Sequence, residues 1–422
     1  MLRALAGARP APLRLMRRNP RQTLKKLVQA LLGGAGAALF AACAAGSDVP
    51  TVLIPPEPPP QSITRQVGRW KVGAYLSLTG AGRRRSIETK EGIELAVAEI
   101  NEAGGIKGRP LEISYTDDQS NPSLVTNRVV ELINIQRVIA LLGDVSAQSM
   151  SGATFADKSH VPILAPFSAE AGVTAIGPFV FRACAAEDVQ ARLTASFMLS
   201  TLGKKRLGLL YPADDPYSVG LARAFREEAT RLGADAIIER SFGKDDISFA
   251  MLVLELMDEM PDVVYAPIEP VLMARVARTA MIGGIKGDIF FGTGAWGSGD
   301  LVREAGEALE GAFFADHWAP DAPLPASQAF VSKFRERYQR EPGTPSALGY
   351  DAARILADAI LRAPASTPEA IRDAIEETRG YSGVTGTISM DKARNVEKPI
   401  FVRRVERGKL VYFTTLEPRD EE

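Results

Sequence analysis

From Trp70 onward the chain alternates short β-branched runs with amphipathic segments, a rhythm that narrows the fold to βαβ units around parallel sheets. The first strand is expected over residues 71–76 and the first helix over 87–101, where Ile93, Ala96, Val97 and Ile100 recur at i, i+3, i+4 and i+7. Gly104-Gly105 ends that helix. Leu111, Ile113 and Tyr115 alternate as the next strand, and Asn121-Pro122 then offers an N-cap with proline at the first helical position, ahead of Val125, Val129, Leu132 and Ile133. The runs 138–142 and 161–165 are continuously apolar, as parallel strands covered on both faces are, and a Ser/Ala-rich helix from about Ser146 separates them. The rhythm restarts with a strand at 207–211, a helix at 217–232, strands at 236–238 and 263–266, a helix at 271–282 and a strand at 289–292. A helix over 345–361 and a β ending at 386–390, 399–405 and 410–414 close the chain. With 422 residues, 46% of them apolar, two domains are expected rather than one.

The chain ahead of Trp70 has another character. Between Met1 and Lys26 stand eight basic residues (Arg3, Arg9, Arg14, Arg17, Arg18, Arg21, Lys25 and Lys26) and no acid. An apolar run over 27–42 follows, the length of a secretory signal's apolar core and short for a membrane span. It ends in Leu39-Phe40-Ala41-Ala42-Cys43, which resembles a bacterial lipobox with Phe40 where leucine is usual. Residues 1–42 are therefore expected to be a signal peptide, and Cys43 the acylated N-terminus of the mature chain; Met16, before Arg17-Arg18, is an alternative initiator. Pro55, Pro56, Pro58, Pro59 and Pro60 favour an extended spacer that rises ~3 Å per residue, so residues 43–67 read as a tethering stalk. Acylation of Cys43 leaves Cys184 as the only thiol, which excludes an intramolecular disulfide.

Several function classes are poorly served by these residues. Fifty basic residues against 51 acidic ones give no net field for a polyanion, and nucleic acid is not expected as a partner. The two histidines, His160 and His317, lie far apart with no Cys or carboxylate at metal-ligand spacing, and no Gly-x-Ser-x-Gly elbow is present, so neither a metal nor an enzyme is expected. Gly80-Ala81-Gly82 has the start of a dinucleotide loop, but Arg85 holds the third glycine's place, which leaves a dinucleotide-dependent enzyme a remote alternative and no cofactor expected.

Four segments, in this order, resemble the leucine/isoleucine/valine-binding protein family, the type 1 periplasmic binding proteins: Ser77-Leu78-Thr79-Gly80; Asn101-Glu102-Ala103-Gly104-Gly105-Ile106-Lys107-Gly108; Val161-Pro162-Ile163-Leu164-Ala165-Pro166; and Gly383-Val384-Thr385-Gly386-Thr387-Ile388. The resemblance spans about 72–413 and implies an α/β fold of two Rossmann-like lobes with parallel sheets, joined by three hinge crossings. It implies lobe one from 68–184 plus 317–380, lobe two from 185–316 plus 381–416, and a tail at 417–422. It further implies a periplasmic or envelope-bound protein that captures an amino acid or related small carboxylate for an ABC importer, its permease subunits as partners and its membrane contact only through the lipid on Cys43. The same fold also serves lipoprotein sensors and regulators of envelope enzymes, of the peptidoglycan synthase activator type, and fold alone does not separate these roles.

The ligand residues follow from helix-terminus chemistry together with the resemblance. A helix N-terminus holds a carboxylate without a cation, and Ser146 opens the Ser/Ala-rich helix at the family position whose hydroxyl and amide do this; a plain N-cap serine is the alternative. Ser168 and Ala169 match the segment that completes the carboxylate and ammonium contacts. Tyr217 matches the aromatic of lobe two that folds over the ligand, or is a helix-start residue. Glu269 matches a ligand-contacting position at which a carboxylate pairs with an ammonium, or is an exposed loop acid. The segment Gly292-Thr293-Gly294-Ala295-Trp296 lacks the acid that amino-acid binders commonly place there, leaving Trp296 to stack on or wall the ligand. Arg83-Arg84-Arg85 is either a solvated loop or, with Arg85 turned inward, a site favouring an acidic ligand.

Overall fold

Continuous apolar strands need cover on both faces, and the helices between them supply it. The computed structural model describes residues 68–144, 149–170, 172–243, 249–297 and 299–418; the basic segment, the apolar run, Cys43 and the proline-rich stretch lie outside these. The first sheet contains β1 (Trp70–Leu76), β2 (Leu111–Asp117), β3 (Leu141–Gly143), β4 (Ile163–Ala165) and β5 (Val180–Arg182), ordered β2-β1-β3-β4-β5 and parallel throughout. Its helices are α1 (Arg83–Glu102), α2 (Pro122–Val130) and α3 (Met150–Lys158). Asn121 caps α2 as its sequence suggests, its side chain accepting the Ser123 N–H at 3.0 Å.

The second sheet repeats the plan. It is built from β6 (Arg206–Pro212), β7 (Ala236–Phe242), β8 (Val263–Tyr265), β9 (Phe290–Gly292) and β10 (Phe313–Asp316), with α4 (Glu187–Ser196), α5 (Pro216–Arg231), α6 (Phe249–Asp258), α7 (Pro270–Ile282) and α8 (Gly299–Ala305). Its parallel part runs β7-β6-β8-β9-β10, the same winding order as the first sheet, and β14 (Ile400–Glu406) and β15 (Lys409–Leu416) extend it antiparallel beyond β10. In both sheets the winding reverses beside the first strand, so the carboxyl ends of β1 and β3, and of β6 and β8, are where such a fold opens a crevice.

Between β10 and β14 the chain returns to the first sheet as α9 (Pro325–Tyr338), α10 (Thr344–Arg362), α11 (Pro368–Glu376) and a three-stranded antiparallel piece, β11 (Tyr381–Gly383), β12 (Gly386–Met390) and β13 (Val396–Glu397). Phe330 and Phe334 of α9, Leu356 and Ile360 of α10, and Val384, Ile388, Met390 and Val396 share one core with Val72, Ile93 and Leu142 of lobe one. The expected third crossing at residue 380 is thereby corrected. Residues 381–397 pack on lobe one, and the chain passes to lobe two at Lys398-Pro399; the other two passages follow β5 and β10.

At Gly92 and Gly349, α1 and α10 meet backbone to backbone. A Cβ on Gly92 would lie 1.9 Å from the Ser346 carbonyl oxygen, and one on Gly349 2.3 Å from that of Thr89. The first helix also starts earlier than expected, at Arg83 rather than Ile87, so the arginine run is helical instead of a loop. Arginine is a good helix former, and the opposing dipole at a helix N-terminus costs only a few tenths of a kcal/mol to about 1 kcal/mol, which tertiary contacts outweigh here.

Candidate functional site

The carboxyl edge of the first sheet supplies a concavity lined by Leu76 from β1, Arg85, Ser86 and Thr89 from α1, Asp144 after β3, and Pro166 and Phe167 after β4. Because α1 begins at Arg83, Arg85 falls in its first turn and faces this concavity. Its Nη2 donates to Asp144 Oδ2 at 2.6 Å, and its guanidinium lies 5.3 Å from the centre of the Phe167 ring, a cation–π arrangement. Ser168 Oγ donates to the other carboxylate oxygen, Oδ1, at 3.1 Å. The loop carrying Ser168 is held from below by buried Arg182, whose Nη1 donates to the carbonyls of Ser168, Ala169 and Glu170 at 3.2, 3.1 and 3.0 Å.

Lobe two closes on this loop. The Glu187 N–H, at the start of α4, donates to the Ala169 carbonyl at 2.8 Å. Tyr217, in the first turn of α5, packs with Phe167, Ala169, Cys184 and Leu348, so that both lobes and the first crossing contribute to one apolar cluster. Burial, with Glu187 next, pushes its phenol above the ordinary range. At the rim, Arg84 of α1 forms an ion pair with Asp300 of α8, one lobe to the other.

The other two crossings lay buried polar groups behind this cluster. Asp316 accepts from Thr344 Oγ1 at 2.9 and 3.1 Å, from its neighbour His317 N at 2.7 Å and from Arg403 Nη1 at 3.4 Å, yet burial still raises its carboxyl. His317 meets Phe167 edge-on at 5.8 Å, and its Nδ1 has no hydrogen-bond partner. Burial, then the charge of Lys398, lowers its pKa to about 3.

A histidine held neutral when folded but free to charge at its ordinary 6.5 when unfolded favours unfolding as pH falls from 6.5 towards 3. His317 alone should therefore remove about 3 kcal/mol of stability between pH 7 and pH 4. In urea unfolding at those two pH values, His317→Gln should lose about that much less than the parent protein. Equal acid losses in both proteins would contradict the assignment.

The residues expected from sequence divide into three groups. Arg85, Ser168, Ala169 and Tyr217 are brought together around Asp144 and Phe167. Ser146, like Cys43, lies outside the described residues. Trp296 is corrected, and Glu269 takes the second of its two readings, an exposed acid, here at a helix start. Glu269 is exposed and caps α7, its Oε1 accepting the Leu272 N–H at 2.9 Å and its Oε2 that of Val271 at 3.2 Å; Pro270 at the first helical position makes this the ordinary use of such an acid. Trp296 is fully buried in the lobe-two core, its ring pressed on the Cα of Gly292 and its Nε1 donating to the Ile268 carbonyl at 2.9 Å, so it seals the end of β9 instead of walling a ligand. Sequence reasoning missed Asp144, Phe167, His317 and Lys398. Asp144 and Phe167 were open to it, since each stands at the carboxyl end of an identified strand in the first sheet. Among the described residues there is no cluster of metal-ligating side chains, and no helix is long and apolar enough to cross a membrane.

Two doubly wound lobes that face each other with their carboxyl edges and are joined at their base by three passages of the chain define a class of protein that closes on a small molecule. The chain belongs to the periplasmic binding protein family, whose model matches residues 69–409. It is similar to Leu/Ile/Val-binding protein homolog 2 of Brucella abortus (strain 2308), 26% identical over 352 residues that cover 81% of this chain and 92% of that one. The Leu/Ile/Val-binding protein of Escherichia coli (strain K12) is 27% identical over 277 residues, 65% of this chain and 74% of that one. Among solved structures, the leucine-binding protein LivK of Thermotoga maritima MSB8 superposes with a TM-score of 0.72 at 29% identity, covering 82% of this chain and 99% of that one. The chain is thus an extracytoplasmic solute-binding protein, and the proteins it resembles are binding proteins, not enzymes.

Proposed function

We propose that the protein captures an amino acid or related small carboxylate in the cleft between its lobes and presents it, in the closed form, to the permease subunits of an ABC importer. The observation that carries this reading is the convergence of Arg85, Asp144 and Ser168 from one lobe with Tyr217 from the other around Phe167 and Ala169. A polar set on one wall and an aromatic lid on the opposite wall suit a small molecule with a charged head and an apolar body. The Leu/Ile/Val-binding names of its relatives support the same class. A ligand touching both lobes binds the closed form better than the open one and draws the hinge equilibrium towards it. In this reading Cys43 carries the lipid that keeps the protein at the membrane where the importer sits.

The test is a thermal-shift screen of the purified protein against amino acids, dicarboxylates, amides and aromatic acids. A ligand at 100 times its dissociation constant adds ~2.7 kcal/mol of stability and raises the unfolding temperature saturably. A shift with a carboxylate-bearing compound that weakens in Tyr217→Ala supports capture between the lobes. Absence of any shift across the panel overturns it.

A further inference from the structure

The arginine run at the start of α1 divides its work. Arg85 turns into the concavity, where Asp144 takes it, whereas Arg84, one residue earlier, reaches the other lobe and pairs through Nη1 with Oδ2 of Asp300 on α8. Each partner of that second pair also has a neighbour of opposite charge on its own helix. Glu88, one turn on along α1, places Oε1 3.6 Å from Arg84 Nε, and Arg303, one turn on along α8, places Nη2 2.6 Å from Asp300 Oδ1. The result is a row of alternating charge, Glu88, Arg84, Asp300 and Arg303, that runs from lobe one to lobe two beside the concavity.

We propose that this row is a latch between the lobes, formed when they close and broken before they open, and that Arg84 and Asp300 thereby set how long a captured molecule is kept. This rests on the capture reading above and concerns retention, not recognition. All four members belong to the protein, so the latch forms whenever the lobes meet, whatever lies in the cleft. An isolated exposed ion pair contributes little, because two long side chains must be ordered to make it; here each partner is already oriented by a residue of its own helix, and the four act as a network. Glu88 keeps 16% of its side chain exposed and anchors the row on lobe one, whereas Arg84 keeps 62%, so dissolved salt reaches the cross-lobe pair and weakens it.

The latch also gives a use to a basic residue where a helix resists one. Arg84 stands in the first turn of α1, against the dipole, while Asp300 stands in the first turn of α8, in accord with it. Closure brings the Asp300 carboxylate to the α1 terminus as well, and parting of the lobes leaves Arg84 with Glu88 alone. Closure therefore gains an electrostatic contribution that owes nothing to the ligand. Retention should depend on ionic strength through this pair even for a ligand without net charge.

The test is a double-variant cycle on the full chain, with Arg84→Gln, Asp300→Asn and the two combined. Stopped-flow association and dissociation are followed for the compound that gives the largest shift in the thermal screen, at about 0.05 M and about 0.5 M sodium chloride. At low salt each single variant should release the compound roughly threefold faster than the parent, with association little changed, and the double variant should release it no faster than either single, since both remove one contact. High salt should close the gap between parent and variants. If the two effects multiply, each residue acts within its own lobe and the proposal fails. It fails as well if all four proteins release the compound at one rate, or if the variants slow association instead, outcomes that leave the capture reading standing. Binding of no compound by the parent overturns both. Should Asp300→Asn not fold, Arg303→Gln is the second variant: it keeps the cross-lobe pair but removes what aims it, and should give a smaller rise in release that disappears once Arg84 is replaced.

Discussion

Replacing Asp351 with alanine should destabilise the protein by about 3–5 kcal/mol, the cost of leaving a buried cation without its partner. Asp351 lies on α10 with 1% of its surface exposed, its Oδ1 accepting the Val384 N–H at 2.8 Å and its Oδ2 the Thr385 N–H at 2.9 Å and hydroxyl at 2.6 Å. The same Thr385 hydroxyl accepts from Nζ of Lys398, which is itself buried at the third crossing. Burial raises the Asp351 carboxyl and lowers the Lys398 ammonium to about 8, with the attraction between them offsetting only part of each shift. Solvation lost therefore exceeds attraction gained. Two consequences can be measured by chemical denaturation. First, the lysine binds a proton more readily when unfolded, so its contribution to stability rises as pH increases from about 8 to 10.5, and in Asp351→Ala that rise should begin at lower pH. Second, Asp351→Leu combined with Lys398→Met should recover most of the single-variant loss, since a buried pair is often replaceable by apolar groups but not divisible. A single-variant loss under about 1 kcal/mol would mean that Lys398 finds another partner or water.

Gly92→Ala should cost about 3 kcal/mol or more, against the gain of roughly 1 kcal/mol that alanine ordinarily brings to a helix interior. The reversal of sign comes from the 1.9 Å approach of the new Cβ to the Ser346 carbonyl, a backbone atom of α10 that cannot swing aside as a side chain would. Gly349→Ala meets the Thr89 carbonyl in the same way from the other helix. Both substitutions push the same two helices apart, so the double variant should lose less than the sum of the singles. Denaturant midpoints of the four proteins test this, and an additive or stabilising result would contradict the backbone contact.

The winding of both lobes was legible in the sequence because parallel strands buried on two faces leave unbroken apolar runs, as at Leu141-Leu142 and Ile163-Leu164-Ala165. Asn121-Pro122 marked a helix start to the residue. Arg83 to Arg85 misled, because basic residues oppose the dipole at a helix N-terminus, and beyond the local pair of Arg84 with Glu88 it is contacts far along the chain, Arg85 with Asp144 and Arg84 with Asp300, that offset this. Residues 381–397 misled for a related reason: short strands carry no sign of which lobe they cover, and only their packing on α9 and α10 assigns them. At the site, Glu269 stood in a family position but directly before a proline, where the local cap was the stronger demand on its carboxylate. Lys398 could not be found from sequence, since a lysine before Pro399 reads as a surface residue until three crossings bury it.

The fit of α1 against α10 also fixes the order of events when the chain folds. The two helices are separated by some 240 residues of sequence, and the parallel part of lobe two, β6 to β10, lies within that interval. α1 cannot cover its apolar face until α10 is present, so lobe one is completed after the parallel part of lobe two has had its opportunity to form. Contacts of such long range form late and slowly. Lobe one therefore stays open along α1 until the chain has been made through α10, while the parallel strands of lobe two need nothing from that helix.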